Sequence, residues 1–129
     1  MKFNWTALGG ALAFVAIALG AFGAHGLEKT LDAHHLEVFK TGAYYHLVHA
    51  LGLILIGIRI HQRPECRLLP AACLLLTIGI AVFSGSLYVF AITANARWAM
   101  ITPLGGLSFM AGWIVFCVAE SGSTRKSTQ

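Results

Sequence analysis

Charged side chains are scarce in this sequence. Asp, Glu, Lys and Arg together make up 11% of its 129 residues, which is about half of the share in soluble proteins. The sequence also contains no nucleophile elbow and no phosphate-binding glycine loop. The five carboxylates all lie outside the long apolar stretches, at Glu28, Asp32, Glu37, Glu65 and Glu120. Because acid–base catalysis with paired carboxylates needs two of them held across a cleft, these absences favour a protein that is not an enzyme.

Cysteine is also rare, and its spacing carries no metal-binding pattern. Cys66, Cys73 and Cys117 form no CxxC pair, so we expect reduced, structural thiols and no cofactor. The net charge is +4, but the basic residues do not cluster on one face with aromatic residues between them, as nucleic-acid-binding surfaces require. The sequence therefore predicts no nucleic-acid partner.

Long apolar stretches, by contrast, fill most of the chain. Because a helix needs about 20 apolar residues to cross a bilayer and must satisfy its own backbone there, each stretch is expected to be a membrane-spanning helix. The mean hydropathy of +0.75 agrees. We predict an all-α, integral membrane four-helix bundle in the plasma (bacterial inner) membrane, with one domain over 1–120 and a disordered polar tail over 121–129. The four stretches are Trp5–Ala24, Ala43–Ile60, Leu68–Ala91 and Ile101–Ala119.

Lys and Arg indicate how the chain is oriented in the membrane. Because cytoplasmic loops carry an excess of these residues, both termini are expected in the cytoplasm. The first stretch is longer than the apolar core of a signal peptide, so we expect it to remain as a span. The predicted cytoplasmic side holds Lys2, Arg59, Arg63, Arg67, Arg125 and Lys126, and the other side holds Lys29, Lys40 and Arg97.

Small residues recur at helical spacing in three of the stretches. Such residues let two helix backbones approach closely in a membrane. We therefore expect a structural or accessory component that acts through helix packing, surrounded by the lipid bilayer and associated with itself as a homo-oligomer or with a larger membrane protein. The predicted packing residues are Gly9, Ala13, Ala16 and Gly20 in the first stretch, Gly85 in the third, and Gly105, Gly106 and Gly112 in the fourth.

The second stretch is expected to belong to a longer helix. Asp32 is a suitable N-cap, and no proline interrupts the pattern from Ala33 to Ile60. One such helix would be about 42 Å long at a rise of 1.5 Å per residue. Since the hydrocarbon layer is only about 30 Å thick, the first turns should form an amphipathic extension, tilt, or bend near Gly42.

Histidines lie along one seam of this helix, and three roles for them remain open. Steps of four and three residues place His46 and His49 toward the bundle interior. There, a neutral imidazole would stabilise packing by bonding to Ser84, Ser86, Tyr88 or a backbone carbonyl. Alternatively, His49 would serve a proton or ion pathway. Metal or haem binding by His25, His46 and His49 would need a re-entrant turn at 23–26, because helix geometry separates their depths.

Several segments resemble a known family. In their order along the chain they are similar to the YgdD/YwdK-type family of small four-helix bacterial membrane proteins, whose function is unknown. The resemblance implies a multi-pass fold and no particular reaction. One departure is Tyr44-Tyr45-His46, where relatives often have Arg-Tyr-Gln. The matching segments are Gly20–Leu27, Tyr45–Leu51, Phe83–Tyr88 and Ile101–Gly106, followed by Gly112-Trp113, and they mark His25, His49, Ser84, Tyr88, Pro103 and Gly105 as family-typical.

Overall fold

Four membrane-spanning helices make up the fold. The structure is a computed structural model that describes residues 3–124, which contain helices and short connectors and no strand. This confirms the all-α, four-span membrane fold. The first span is α1 (Trp5–His25), the second is α2 (Ala33–Gln62), the third combines α3 (Leu68–Gly79), a π-helical turn (Ile80–Ser84) and α4 (Gly85–Thr93), and the fourth is α5 (Ala96–Thr124).

The second span begins where the sequence predicts and is not broken at Gly42. A carboxylate oxygen of Asp32 accepts a hydrogen bond of 2.9 Å from the backbone N–H of His35, which caps the helix. The second carboxylate oxygen lies 2.7 Å from Nδ1 of His35. The backbone bond, followed by the bond to the imidazole, lowers the pKa of Asp32 below its ordinary value.

The second span is the centre of the arrangement. It packs against the first span on one side and against the third span on the other, while the fourth span packs chiefly against the third. The core therefore lies among the second, third and fourth spans. Leu53 and Ile56 from the second span, Leu69 and Leu76 from the third, and Phe109 from the fourth are buried there.

The first and second spans meet through small residues. A Cβ atom added at Gly9 would lie 2.8 Å from the carbonyl oxygen of Ala50, so the two backbones are already in contact. Ala16 is buried in the same interface, whereas Ala13 and Gly20 are half-buried. Gly57 contributes from the second span, because a Cβ there would lie 2.7 Å from the backbone nitrogen of Thr6.

The predicted glycines of the third and fourth spans have different surroundings. Gly105 lies against the backbone of Phe83, and a Cβ at Gly112 would be 2.7 Å from the side chain of Leu76. Gly106 leaves ordinary van der Waals space beside the Phe83 ring. Gly85 departs from the prediction, since a Cβ there would meet no described atom within 4 Å. It faces away from the neighbouring helices.

The fourth span is longer than its apolar stretch. It continues to Thr124, so residues 121–124 of the predicted polar tail are helical, because the backbone hydrogen bonding of the span extends beyond its apolar residues. The rest of that tail, 125–129, lies outside the described residues. The cytoplasmic location of the termini stays a prediction.

Candidate functional site

His49 lies in the middle of the second span and is almost fully buried, with 5% of its surface exposed. Its Nδ1 atom is 2.6 Å from the carbonyl oxygen of Tyr45, one turn earlier in the same helix. A carbonyl oxygen can only accept, so Nδ1 carries the hydrogen and donates it. The neutral imidazole consequently has its lone pair on Nε2, which makes that atom a hydrogen-bond acceptor.

The fourth span holds the imidazole ring of His49 in place. The ring of Phe109 stacks on it with centroids 3.4 Å apart and an angle of 10° between the planes. Phe109 fits against Gly79 of the third span, which leaves room for the aromatic ring. Trp113, one turn further along, packs over Gly52 of the second span. The rings that surround His49 therefore fit against two glycines, Gly52 and Gly79. The sequence analysis did not identify either of them.

A groove of about 450 Å³ opens beside His49, between the second, third and fourth spans. Its polar side-chain groups are the imidazole, the phenol hydroxyl of Tyr45 and the indole N–H of Trp113. Leu107 and Met110 at its rim are more than half exposed, so the groove opens sideways toward the hydrocarbon of the bilayer. The lining residues are Tyr45, His49, Phe83, Pro103, Gly106, Leu107, Phe109, Met110 and Trp113.

The third span changes its helical geometry next to this groove. Residues Ile80–Ser84 form a π-helical turn, a feature that is frequent at functional sites. Phe83 lies in this turn, and its ring centroid is 4.9 Å from that of Tyr45 and 5.5 Å from that of Phe109. The close contact of Gly105 with the Phe83 backbone lets the fourth span approach at this level. The turn thereby supplies one wall of the groove.

His46 belongs to a second polar group, separate from the groove. Its Nδ1 atom lies 3.2 Å from the hydroxyl of Tyr88, and the Tyr88 ring packs against Gly42. Three buried polar atoms, Nε2 of His46, Oγ of Ser84 and Oγ1 of Thr6, have no hydrogen-bond partner among the described residues. Of the predicted polar positions, His46 and Tyr88 are therefore brought together, and His49 instead bonds a backbone carbonyl.

Comparison with known proteins identifies the family of this chain. The family model described as "Protein of unknown function (DUF423)" matches residues 19–106. The chain belongs to the DUF423 family. No solved structure matches it.

Curated DUF423 relatives match over most of their length. The chain is 42% identical to the UPF0382 membrane protein YwdK of Bacillus subtilis over 112 residues, which is 87% of this chain and 91% of the relative. It is 37% identical to the UPF0382 inner membrane protein YgdD of Escherichia coli over 113 residues, 88% of this chain and 86% of the relative. These names give a membrane location and no activity, in agreement with the resemblance.

His25 lies apart from the other predicted site residues of this DUF423 protein. It is exposed at the end of the first span. Its neighbour Gly23 packs against Phe39, which precedes His49 by ten residues on the second helix. At 1.5 Å per residue, this separates the levels of His25 and His49 by roughly 15 Å. The structure does not bring the two candidate metal ligands together, and residues 3–124 contain no group of three or more potential ligands.

An ion-pair network at the far end of the second span was missed by the sequence analysis. Two nitrogens of Arg59 donate to the two carboxylate oxygens of Glu120 at 3.2 and 2.6 Å. Arg63 donates to the backbone carbonyl of Ala119 at 2.8 Å. We interpreted these arginines only as orientation signals. One feature of the sequence could have indicated this ion pair: Glu120 lies on the same predicted side of the membrane as the arginine-rich loop.

Proposed function

We propose that the protein acts without catalysis, as an accessory component of the membrane that binds a lipid-soluble molecule noncovalently in the groove beside His49. The observation that carries this proposal is the open space of about 450 Å³ between three of the spans. Small-molecule sites in proteins have volumes of about 300–1,000 Å³ and mostly apolar walls with a few polar groups. The groove has both properties.

The residues around the groove are tightly packed, which indicates that the groove is a well-defined site and not a poorly packed region. Leu53 and Ile56 on the second span, and Leu76 on the third, have no exposed surface. Gly79 and Gly105 allow ring and backbone contacts that would leave no room for a larger residue. A groove of this size beside such close contacts offers space that a molecule from the bilayer can occupy.

The composition of the lining favours binding over catalysis or ion passage. Besides apolar residues, it offers one imidazole, one phenol and one indole N–H, and none of its nine residues is a carboxylic acid. An ion crossing the bilayer needs polar groups along its path. The groove instead faces the hydrocarbon, where an apolar molecule can reach it directly. Permeation through His49 and metal binding therefore have less support than ligand binding.

The outward faces of the first and fourth spans favour contact with lipid. They carry large exposed apolar side chains, among them Phe14 and Ile17 on the first span and Leu104 and Ile114 on the fourth. Lipid tails cover such side chains as well as another helix would. We therefore propose the bilayer itself as the partner of these faces.

A matched pair of glycine substitutions tests the proposal. Gly106→Leu would place a side chain in the groove, because Gly106 lines it and a Cβ there has ordinary van der Waals space. Gly10→Leu is the control, since a Cβ at Gly10 meets no described atom within 4 Å and lies away from the groove. The measurement is mass spectrometry of small molecules carried by each purified protein.

We expect wild type and Gly10→Leu to carry the same lipid-soluble compound, and Gly106→Leu to carry roughly tenfold less, because its side chain occupies apolar space that the ligand would fill. Equal amounts in all three proteins, or no compound in wild type, would contradict the proposal. If a second protein chain co-purifies with wild type but not with Gly106→Leu, the groove binds a helix of a partner protein and not a small ligand.

A further inference from the structure

The imidazole of His49 has one hydrogen-bonding atom that the described chain does not use. Its Nδ1–H donates to the carbonyl of Tyr45, so Nε2 is an acceptor on the opposite side of the ring. No described protein atom donates a hydrogen bond to this Nε2. Because the ring lines the groove, a donor on a bound molecule can reach it. An unpaired acceptor within the bilayer is costly, so such a donor would stabilise the protein.

The ring cannot easily turn to find another partner. Phe109 covers one face at a centroid distance of 3.4 Å, and the short bond to Tyr45 fixes Nδ1. A half-turn about the Cβ–Cγ bond would keep the stacking but break the bond to Tyr45, and a smaller rotation would break the stacking as well. The direction of the Nε2 lone pair is therefore set before any ligand arrives, and this preorganisation favours binding.

The charge of the lining restricts which donor can bind. None of the nine lining residues is acidic. A cationic donor would thus enter an apolar space without a counter-charge, at a high desolvation cost. A neutral hydroxyl group can donate to Nε2 without that cost.

Aromatic rings make up much of the groove wall. Tyr45, Phe83, Phe109 and Trp113 all contribute to it, and the rings of Tyr45 and Phe83 are 4.9 Å apart. Aromatic side chains pack favourably against another ring in offset or tilted arrangements. The open side at Leu107 and Met110 leaves an exit for an alkyl tail into the bilayer.

From these features we infer that the groove selects a neutral, lipid-soluble molecule with an aromatic hydroxyl group, such as a phenol or quinol headgroup, whose O–H donates to Nε2 of His49. This inference rests on the proposed function and specifies the ligand of the same groove. Binding involves no covalent or redox step.

Two probes that differ only in the donor test the inference. 4-Decylphenol has the O–H group, whereas 4-decylanisole has a methoxy group of similar shape that cannot donate. Their affinities are measured with radiolabelled probes and the full chain in lipid nanodiscs, with empty nanodiscs subtracted. We expect wild type to bind the phenol about tenfold more tightly, since one hydrogen bond to an otherwise unpaired acceptor beside an apolar groove has an effect of that order.

Variants identify the acceptor. His49→Phe keeps a ring that can stack on Phe109 and removes Nε2, so it should bind both probes with equal affinity. Tyr45→Phe removes the only other nitrogen or oxygen hydrogen-bond acceptor among the side chains of the groove and should keep the preference for the phenol. A preference that persists in His49→Phe, or that disappears only in Tyr45→Phe, would overturn the inference.

Binding of the two probes to wild type and to Gly106→Leu separates failure of the inference from failure of the proposed function. Equal binding of the two probes to wild type, above the level of Gly106→Leu, would reject the hydroxyl and leave the groove as an apolar binding site. If neither probe bound above that level, the groove would be rejected as a binding site altogether. Both results are obtained even if His49→Phe fails to fold.

Discussion

The first span lies directly on the backbone of the second, whereas the fourth span reaches the second through large side chains. Gly9 brings the first span against the carbonyl of Ala50. On the opposite side, Phe109 stacks on His49, and Trp113 covers Gly52. Small residues thus allow close contact between the first and second spans. Aromatic rings separate the second and fourth spans, and the groove lies beside these rings. The candidate site therefore depends on which glycines contact an aromatic ring of the neighbouring span and which contact its backbone.

The largest effect is expected when the close interface is forced open. In Gly9→Leu the new Cβ would lie 2.8 Å from the carbonyl oxygen of Ala50, a backbone atom that cannot move aside like a side chain. We expect a loss of roughly 3 kcal/mol in the free energy of unfolding. Reversible unfolding in mixed detergent micelles measures it. Gly10→Leu serves as the control, and equal stability of the two variants would mean that the first span does not depend on this contact.

A smaller effect is expected in the aromatic interface. Phe109→Ala removes a buried ring that touches both His49 and Gly79. Such truncations cost about 3–5 kcal/mol in closed cores, but lipid can enter from the adjoining groove, so we expect about 2 kcal/mol. The same unfolding measurement applies, with Leu107→Ala at the exposed rim as the control. A cost as large as in a closed core would show that the groove does not admit lipid.

The smallest effect is expected at the ion pair that joins the ends of the second and fourth spans. Glu120→Gln leaves Arg59 without its charged partner, so the melting temperature should fall by a few degrees in low salt and by less in high salt. Glu37→Gln, which breaks the exposed pair with Lys40 inside one helix, is the matched control and should leave the melting temperature unchanged. If both variants melt alike, the ion pair does not help to join these two spans.

Much of the fold could be predicted from the sequence. The lengths of the apolar stretches predict four helices, because only helices of that length satisfy their backbone across the bilayer. Asp32 marks the start of the second helix through the chemistry of its side chain, and the structure confirms this start. The seam through His46 and His49 follows from helical periodicity, and both side chains are buried. Each of these features depends on residues within one helix.

The site could be predicted only in part. The seam identified His49 as an inward-facing residue and offered a backbone carbonyl as one of several partners. It could not show that His46 bonds Tyr88 while His49 does not, although the two histidines are three residues apart. The sequence also could not show that Gly79 contacts Phe109 or that Arg59 pairs with Glu120. Each pairing depends on the rotation and depth of two different spans.

The sequence by itself determined the class of the protein, its four spans and the inward face of its second helix, because local backbone chemistry and periodicity are sufficient for these. Only the tertiary structure decided which interface is close and which holds a groove. Apolar spans look alike along the chain, so nothing local specifies which ring meets which glycine. That choice leaves Nε2 of His49 beside an open space of about 450 Å³ in this membrane protein.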